Sequence, residues 1–130
     1  MRKGYTSFGD NAGKIWHSIS NNGKQSIDEI VKNANLNTEE IYSGIGWLAR
    51  EDKIKKNNQT YSLGNTNLTS EIGSIAGKVY KILDIWEEAD IETLKKLANE
   101  NNENVYSALG WLAREDKIIH EDENKYSLKI

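Results

Sequence analysis

The side chains best suited to bind a phosphate backbone cluster in one short stretch of the first half of the chain. Lys53, Lys55 and Lys56 stand within four positions, and two further cations, Arg2 and Lys3, stand near the start of the sequence. Lysine and arginine neutralise phosphates, and contacts to phosphates carry no sequence information, so such a cluster is typical of sequence-independent binding to nucleic acid. A small group of lysines is equally typical of a solvated surface that binds nothing. Both interpretations stay open on these residues alone.

Residues suited to catalysis are scarce in this sequence. The chain has no cysteine, and its two histidines, His17 and His120, stand far apart. The sequence also lacks a phosphate-binding glycine loop, a dinucleotide fingerprint and the spacing of metal ligands. We therefore expect no enzyme activity, no catalytic residues, no cofactor and no metal site.

The chain contains an internal repeat. The nonapeptide GWLAREDKI occurs at 46–54 and again at 110–118, and the same offset aligns FGDNAGKIW with IGSIAGKVY without a gap. Chance does not produce such agreement, so the chain is a tandem repeat. We expect unit 1 at 8–64 and unit 2 at 71–130, preceded by a flexible N-terminal segment at 1–7.

Each unit reads as three helices followed by a β-hairpin. In unit 1 a first helix is expected at about 10–20, a second at 26–35 after the capping box of Ser26 and Glu29, and a third from Thr38. The segments KIKK and TYSL then read as two short strands joined by an asparagine-rich turn. The predicted fold class is mainly α with small β-hairpins (α+β).

The order of these elements resembles the winged helix-turn-helix fold, in which the break between the second and third helices is short. The Ala-Gly pair early in the first helix and the GWLAREDKI run resemble, more specifically, a small family of winged helix-turn-helix domains of otherwise unassigned function. The resemblance covers nearly the whole chain, as two tandem copies. It implies a DNA-binding, transcription-regulator-like protein.

On that resemblance, the third helix of unit 1 would face DNA with Tyr42, Ser43 and Arg50, while the wing lysines hold phosphates. The same face carries Glu39 and Glu40 at the start of the helix. Carboxylates there stabilise the helix but repel phosphates at the end that should approach them. The residues themselves therefore describe a poor reader of DNA.

The two units differ in charge. Residues 1–65 hold nine Lys and Arg against seven Asp and Glu, a net charge of +2, whereas residues 66–130 hold eight against thirteen, a net charge of −5. If duplex DNA is a partner, it should bind through unit 1. The alternative is a protein-protein interaction module that keeps the fold without binding DNA, and the sequence leaves both open.

Two recurring sets of residues indicate how the units pack. Each first helix holds two glycines four positions apart, and because glycine costs a helix about 1 kcal/mol relative to alanine, close packing of the two first helices should offset the loss. Each nonapeptide holds a tryptophan, which we expect to plug the neighbouring unit. Alternatively, the first glycine of each pair precedes its helix, and the tryptophans stack on a ligand. The expected interface of this pseudo-dimer comprises Gly9, Gly13, Gly73, Gly77, Trp47 and Trp111.

The composition is that of a soluble globular protein, with 37% hydrophobic and 28% charged residues. Nothing approaches the ~20 apolar residues of a membrane span, and the first residues lack the apolar core of a signal peptide. We expect a cytoplasmic protein with no membrane partner.

Overall fold

A computed structural model of the chain describes residues 5–120 and 125–129. This part of the chain holds six helices and two small antiparallel sheets, so the predicted α+β class is confirmed. The elements of unit 1 are α1 (Tyr5–Asn22), α2 (Ile27–Ala34), α3 (Thr38–Arg50), β1 (Ile54–Asn57) and β2 (Thr60–Leu63). The elements of unit 2 are α4 (Thr69–Trp86), β3 (Glu88–Asp90), α5 (Ile91–Ala98), α6 (Asn102–Arg114), β4 (Ile118–His120) and β5 (Lys125–Leu128).

Capping boxes set the starts of the second and third helices of unit 1. The Ser26 hydroxyl accepts the N–H of Glu29, and the Glu29 carboxylate accepts the N–H of Ser26. Asn37 and Glu40 exchange the same two hydrogen bonds at the start of α3. Each box satisfies N–H groups that the first helical turn leaves without a partner, so α2 and α3 begin where the sequence predicts.

The first helix is longer than the sequence predicts. It begins at Tyr5 and ends at Asn22, so residues 5–7 belong to α1 instead of a flexible segment, while residues 1–4 lie outside the described part of the chain. Gly9 and Gly13 are therefore both helical, and the alternative in which Gly9 precedes the helix is wrong.

The wings differ between the units. In unit 1, β1 pairs with β2 in antiparallel register, and Gln25 adds an isolated bridge to Tyr61. In unit 2 the corresponding segment before the second helix forms a third strand, which gives the order β3-β5-β4. The hairpins themselves keep one register, because Lys56 faces Tyr61 as His120 faces Tyr126.

The first helices exchange their N-terminal side chains between the units. Phe8 of α1 is buried in the hydrophobic core of unit 2, while Leu68 and Ile72, at the start of α4, are buried in the core of unit 1. Each core therefore needs a residue of the other unit to be complete, and neither unit buries all its apolar surface alone.

The third helices, α3 and α6, pack against each other backbone to backbone. A Cβ atom on Gly46 would collide with the carbonyl oxygen of Ser107, and one on Gly110 would collide with the carbonyl oxygen of Ser43. Only a residue without a side chain fits at these two positions. Because the same residues meet in both directions, the contact between the units is reciprocal.

The close contact between helices of the two units does not involve the glycines that the sequence indicated. A Cβ atom on Gly13 or Gly77 would meet nothing within 4 Å, so the predicted contact between the two first helices at these positions is wrong. The first glycine of each pair instead faces the tryptophan of its own unit. A Cβ atom on Gly9 would lie 3.1 Å from Trp47, and the equivalent contact involves Gly73 and Trp111.

These contacts predict opposite effects for two glycine-to-alanine changes. Gly46→Ala should lower the free energy of unfolding by about 1–3 kcal/mol, because the added methyl group forces α3 and α6 apart. Gly13→Ala should leave it unchanged or raise it by up to about 1 kcal/mol, because alanine is the better helix former and the site is open. Urea unfolding followed by circular dichroism measures both. An unchanged midpoint for Gly46→Ala would contradict the close packing of the third helices.

Candidate nucleic-acid interface

Part of the face of α3 that was expected to meet DNA is covered by unit 2. Ser43 is only 1% exposed. Its hydroxyl donates a hydrogen bond of 2.9 Å to the carbonyl oxygen of Glu40 and accepts one of 3.4 Å from the Asn11 amide. The prediction that Ser43 contacts DNA from an outer face is wrong in this fold, because α6 packs against α3 where the major groove of DNA would have to lie.

Tyr42 lies at the edge of the same contact and is half-buried. Burial, with smaller contributions from the carboxylates of Glu103 and Asp28, raises the pKa of its phenol. The equivalent Tyr106 has a raised pKa for the same main reason, with Glu39 and Glu92 as the nearby charges. Both phenols therefore stay neutral, and both stand beside carboxylates that repel phosphate.

The arginines at the ends of the third helices bind carboxylates of the opposite unit. Arg50 Nε donates to Glu115 Oε2 at 2.9 Å, and Arg114 Nε donates to Glu51 Oε2 at 2.8 Å. The same guanidinium groups stack over tryptophans of the opposite unit, with Cζ to ring-centroid distances of 5.8 Å and 6.0 Å. Arg50, predicted to bind DNA, therefore contributes its charge to the contact between the units.

Trp47 and Trp111 each pack against both hydrophobic cores. The indole of Trp47 lies between α1 of its own unit, where Gly9 leaves room for it, and the guanidinium of Arg114. The reciprocal arrangement surrounds Trp111. Both tryptophans therefore lie between the units, which is the position expected of side chains that pack into the neighbouring unit.

The wing of unit 1 retains part of the predicted basic cluster. Lys53 Nζ lies 3.6 Å from Glu51, which also pairs with Arg114, so one carboxylate serves two cations and part of their positive charge remains. Lys56 Nζ lies 5.6 Å from the centroid of the Tyr61 ring. Lys55 is half-buried and makes no ion pair within the described part of the chain. Arg2 and Lys3, the other predicted cations, lie outside the described residues.

Sequence reasoning missed the residues that decide whether α3 can reach DNA. Gly46 and Gly110 are the first residues of the two copies of the nonapeptide, so their recurrence was visible, but nothing local shows that a helix will cover them.

Within the described ranges, no group of three or more His, Asp or Glu side chains is arranged to hold a metal ion. No helix of that part of the chain is long and apolar enough to cross a membrane.

Three helices followed by a β-hairpin, occurring twice, define a protein built of tandem winged helix-turn-helix units. The profile of a family described as winged helix-turn-helix domain (DUF2582) matches residues 1–64 and 67–128. The chain belongs to this family, which confirms the resemblance seen in the sequence. Over 67 residues it is 37% identical to an uncharacterized protein, MJ1608, of Methanocaldococcus jannaschii. The alignment covers 49% of this chain and 96% of the relative, and no solved structure matches the chain.

The reciprocal arginine–glutamate pairs predict a measurable coupling between the units. In a double-mutant cycle, Arg50→Ala and Glu115→Ala should show an interaction free energy of about 0.2–1 kcal/mol, since Arg50 is half exposed and solvent screens the pair. The interaction should shrink at high salt. Urea unfolding at two salt concentrations measures it. Additive effects at low salt would show that the pair does not couple the units.

Proposed function

We propose that this chain is a protein-interaction module, a winged helix-turn-helix pseudo-dimer within one chain whose third helices join the units and read no DNA. The observation that carries the proposal is the contact of α3 with α6 at Gly46 and Gly110. A recognition helix must insert its outer face into the major groove, and here that face is packed on another helix. Opening it would separate the units and expose both cores.

A surface present only in unit 2 supports a protein partner. Ile85, Trp86 and Leu97 are 76%, 56% and 42% exposed. The equivalent positions of unit 1 hold Asn21, Asn22 and Asn33. The fold does not need these apolar side chains, because the other copy folds with asparagines, and exposed apolar patches of this kind are typical of interaction sites.

The chemistry of this surface indicates the kind of partner. Trp86 and Leu97 border a shallow groove of about 610 Å³ that also holds Glu92, Lys95 and Lys96. Lys95 pairs with Glu92 at 3.5 Å, while Lys96 makes no ion pair with the described residues. The uncompensated charge in the groove is thus positive. An apolar peptide segment with a neighbouring carboxylate complements it.

A peptide library displayed on phage tests this surface. Selection on the wild-type protein should enrich aromatic or aliphatic residues next to Asp or Glu, and the selected peptides should lose about tenfold or more in affinity for Trp86→Asn with Leu97→Asn. Asparagine is the matched replacement because unit 1 carries it at both positions. The exchange Asn22→Trp with Asn33→Leu should give unit 1 a second site. Peptides that bind the asparagine variant as tightly as the wild type would contradict the proposal.

A second candidate function, non-specific binding of duplex DNA, is favoured by the lysines of the unit 1 wing. With Lys53, Lys55 and Lys56 on about three phosphates, log affinity should fall against log salt with a slope of about −3. Binding would be weak, with dissociation constants of about 10⁻⁴ to 10⁻⁶ M, and without sequence preference. A basic wing would bind DNA in this weak and non-specific way without any contact from the third helices.

A titration with random-sequence duplex DNA at two salt concentrations separates the two candidates. The interaction-module proposal by itself expects no salt-dependent binding, even at low ionic strength. Salt-dependent binding that disappears in Lys55→Glu with Lys56→Glu would establish the second function. Tight binding that discriminates between sequences would overturn the proposal, because it requires the face of α3 or α6 that the structure buries.

A further inference from the structure

The two units enclose a second feature, a cleft between α1 and α3 of unit 1 and the wing of unit 2. Its volume is about 460 Å³. We name it the His120 cleft. Its lining combines aromatic rings with two carboxylates, and it includes Asn11, Glu39, Glu40, Tyr106, His120 and Tyr126.

The polar groups of the His120 cleft are mainly hydrogen-bond acceptors. The amide nitrogen of Asn11 already donates to the Ser43 hydroxyl, and this hydroxyl donates to the carbonyl oxygen of Glu40. The amide oxygen of Asn11, the Glu39 carboxylate and the Glu40 oxygen that does not cap α3 then remain as acceptors. Glu39 lies close enough to Tyr106 to contribute to the rise of its pKa. A ligand that supplies donors and positive charge complements such a lining.

His120 is unusual among the residues of this cleft. Its ring stacks on Tyr126 at a centroid distance of 4.3 Å and on Phe8 at 6.0 Å. Both ring nitrogens are buried, and neither has a hydrogen-bond partner among the described residues. Buried polar atoms are nearly always paired, so a histidine in this state, on the wall of a cleft, indicates a missing partner.

The equivalent place on the other side of the molecule indicates which kind of charge such surroundings attract. The position equivalent to His120 is Lys56, which occupies the same register in the hairpin. Its ammonium lies 5.6 Å from the centroid of the Tyr61 ring, and Tyr61 is the counterpart of Tyr126. Glu103, the counterpart of Glu39, is one of the charges that act on Tyr61. On that side the chain supplies its own ammonium to an aromatic and acidic site.

We propose that the His120 cleft binds a small primary amine in its ammonium form, beside the ring of His120, which covers the face of Tyr126 as Lys56 covers the face of Tyr61. The carboxylate of Glu39 supplies the opposite charge, and the half-buried ring of Tyr106 supplies a face that attracts a cation, since Tyr126 is buried against His120. The Asn11 oxygen accepts an N–H of the ammonium. A small rotation of the His120 ring lets one of its nitrogens accept a second N–H of the ammonium. Asn11 is specific to this side, since its counterpart is Ile75.

Titration of the full chain with propylammonium, followed by two-dimensional ¹H–¹⁵N NMR, tests the proposal. A ligand of this size should bind one site with a dissociation constant of about 1 mM or weaker. The shifts should be saturable and centred on Asn11, Ser43 and Tyr106. Propanol and propionate, of similar size but neutral or anionic, should leave these signals unmoved at the same concentrations.

Two variants and one matched control locate the binding. His120→Lys introduces the residue type that unit 1 has at this position. Its ammonium should compete for the cleft and weaken the binding of propylammonium by about tenfold or more. Glu39→Gln removes the carboxylate and should cost about tenfold. Glu103→Gln, the same change on the opposite side, should leave the affinity unchanged.

Three results would overturn the proposal: no saturable shifts in the wild type, equal shifts with propanol, or equal losses in Glu39→Gln and Glu103→Gln. The last would show that the amine responds to the overall charge of the protein. Retained dispersion of the NMR spectrum confirms that the variants fold. The test involves neither DNA nor a protein partner, so its failure would leave the interaction-module proposal untouched.

Discussion

The architecture depends on one contact, the approach of two backbones where Gly46 meets Ser107 and Gly110 meets Ser43. Any side chain at either glycine would hold α3 and α6 apart. With glycine, the helices come close enough for Phe8 and its counterpart to reach into the opposite core. Helix packing, core completion and the arginine–glutamate pairs therefore rest on the same two positions, and their loss would weaken all three together.

That contact also explains why a winged helix-turn-helix fold here presents so little for DNA. A recognition helix needs an exposed polar face, whereas α3 buries its serine and uses Arg50 to bind Glu115. Residues that look like a weak DNA reader in the sequence are better understood as interface residues. The carboxylate of Glu40 has a structural role there, because it caps the start of α3.

The sequence predicts the elements well and their contacts poorly. Helices α2 and α3 carry capping residues and apolar periodicity, which are local signals, so their bounds agree with the structure. The start of α1 at Tyr5 was missed because its first turn has no capping signature. The recurring glycine pairs predicted a contact between the two first helices that Gly13 and Gly77 do not make, because periodicity cannot show which partner covers a helix face. His120 gave no signal, because its surroundings combine a strand of unit 2 with Asn11 of unit 1.

Functional differences are best sought where the two copies have diverged under the same packing constraint. The nonapeptide is identical in both units because both must form one reciprocal contact. Residues outside that contact are free to differ, and they differ in chemical character. Unit 2 has Trp86 where unit 1 has Asn22, and His120 where unit 1 has Lys56. Neither position takes part in the contact between the two third helices. A fused pair can therefore carry two different surfaces on one frame, which two identical chains related by a twofold axis cannot do.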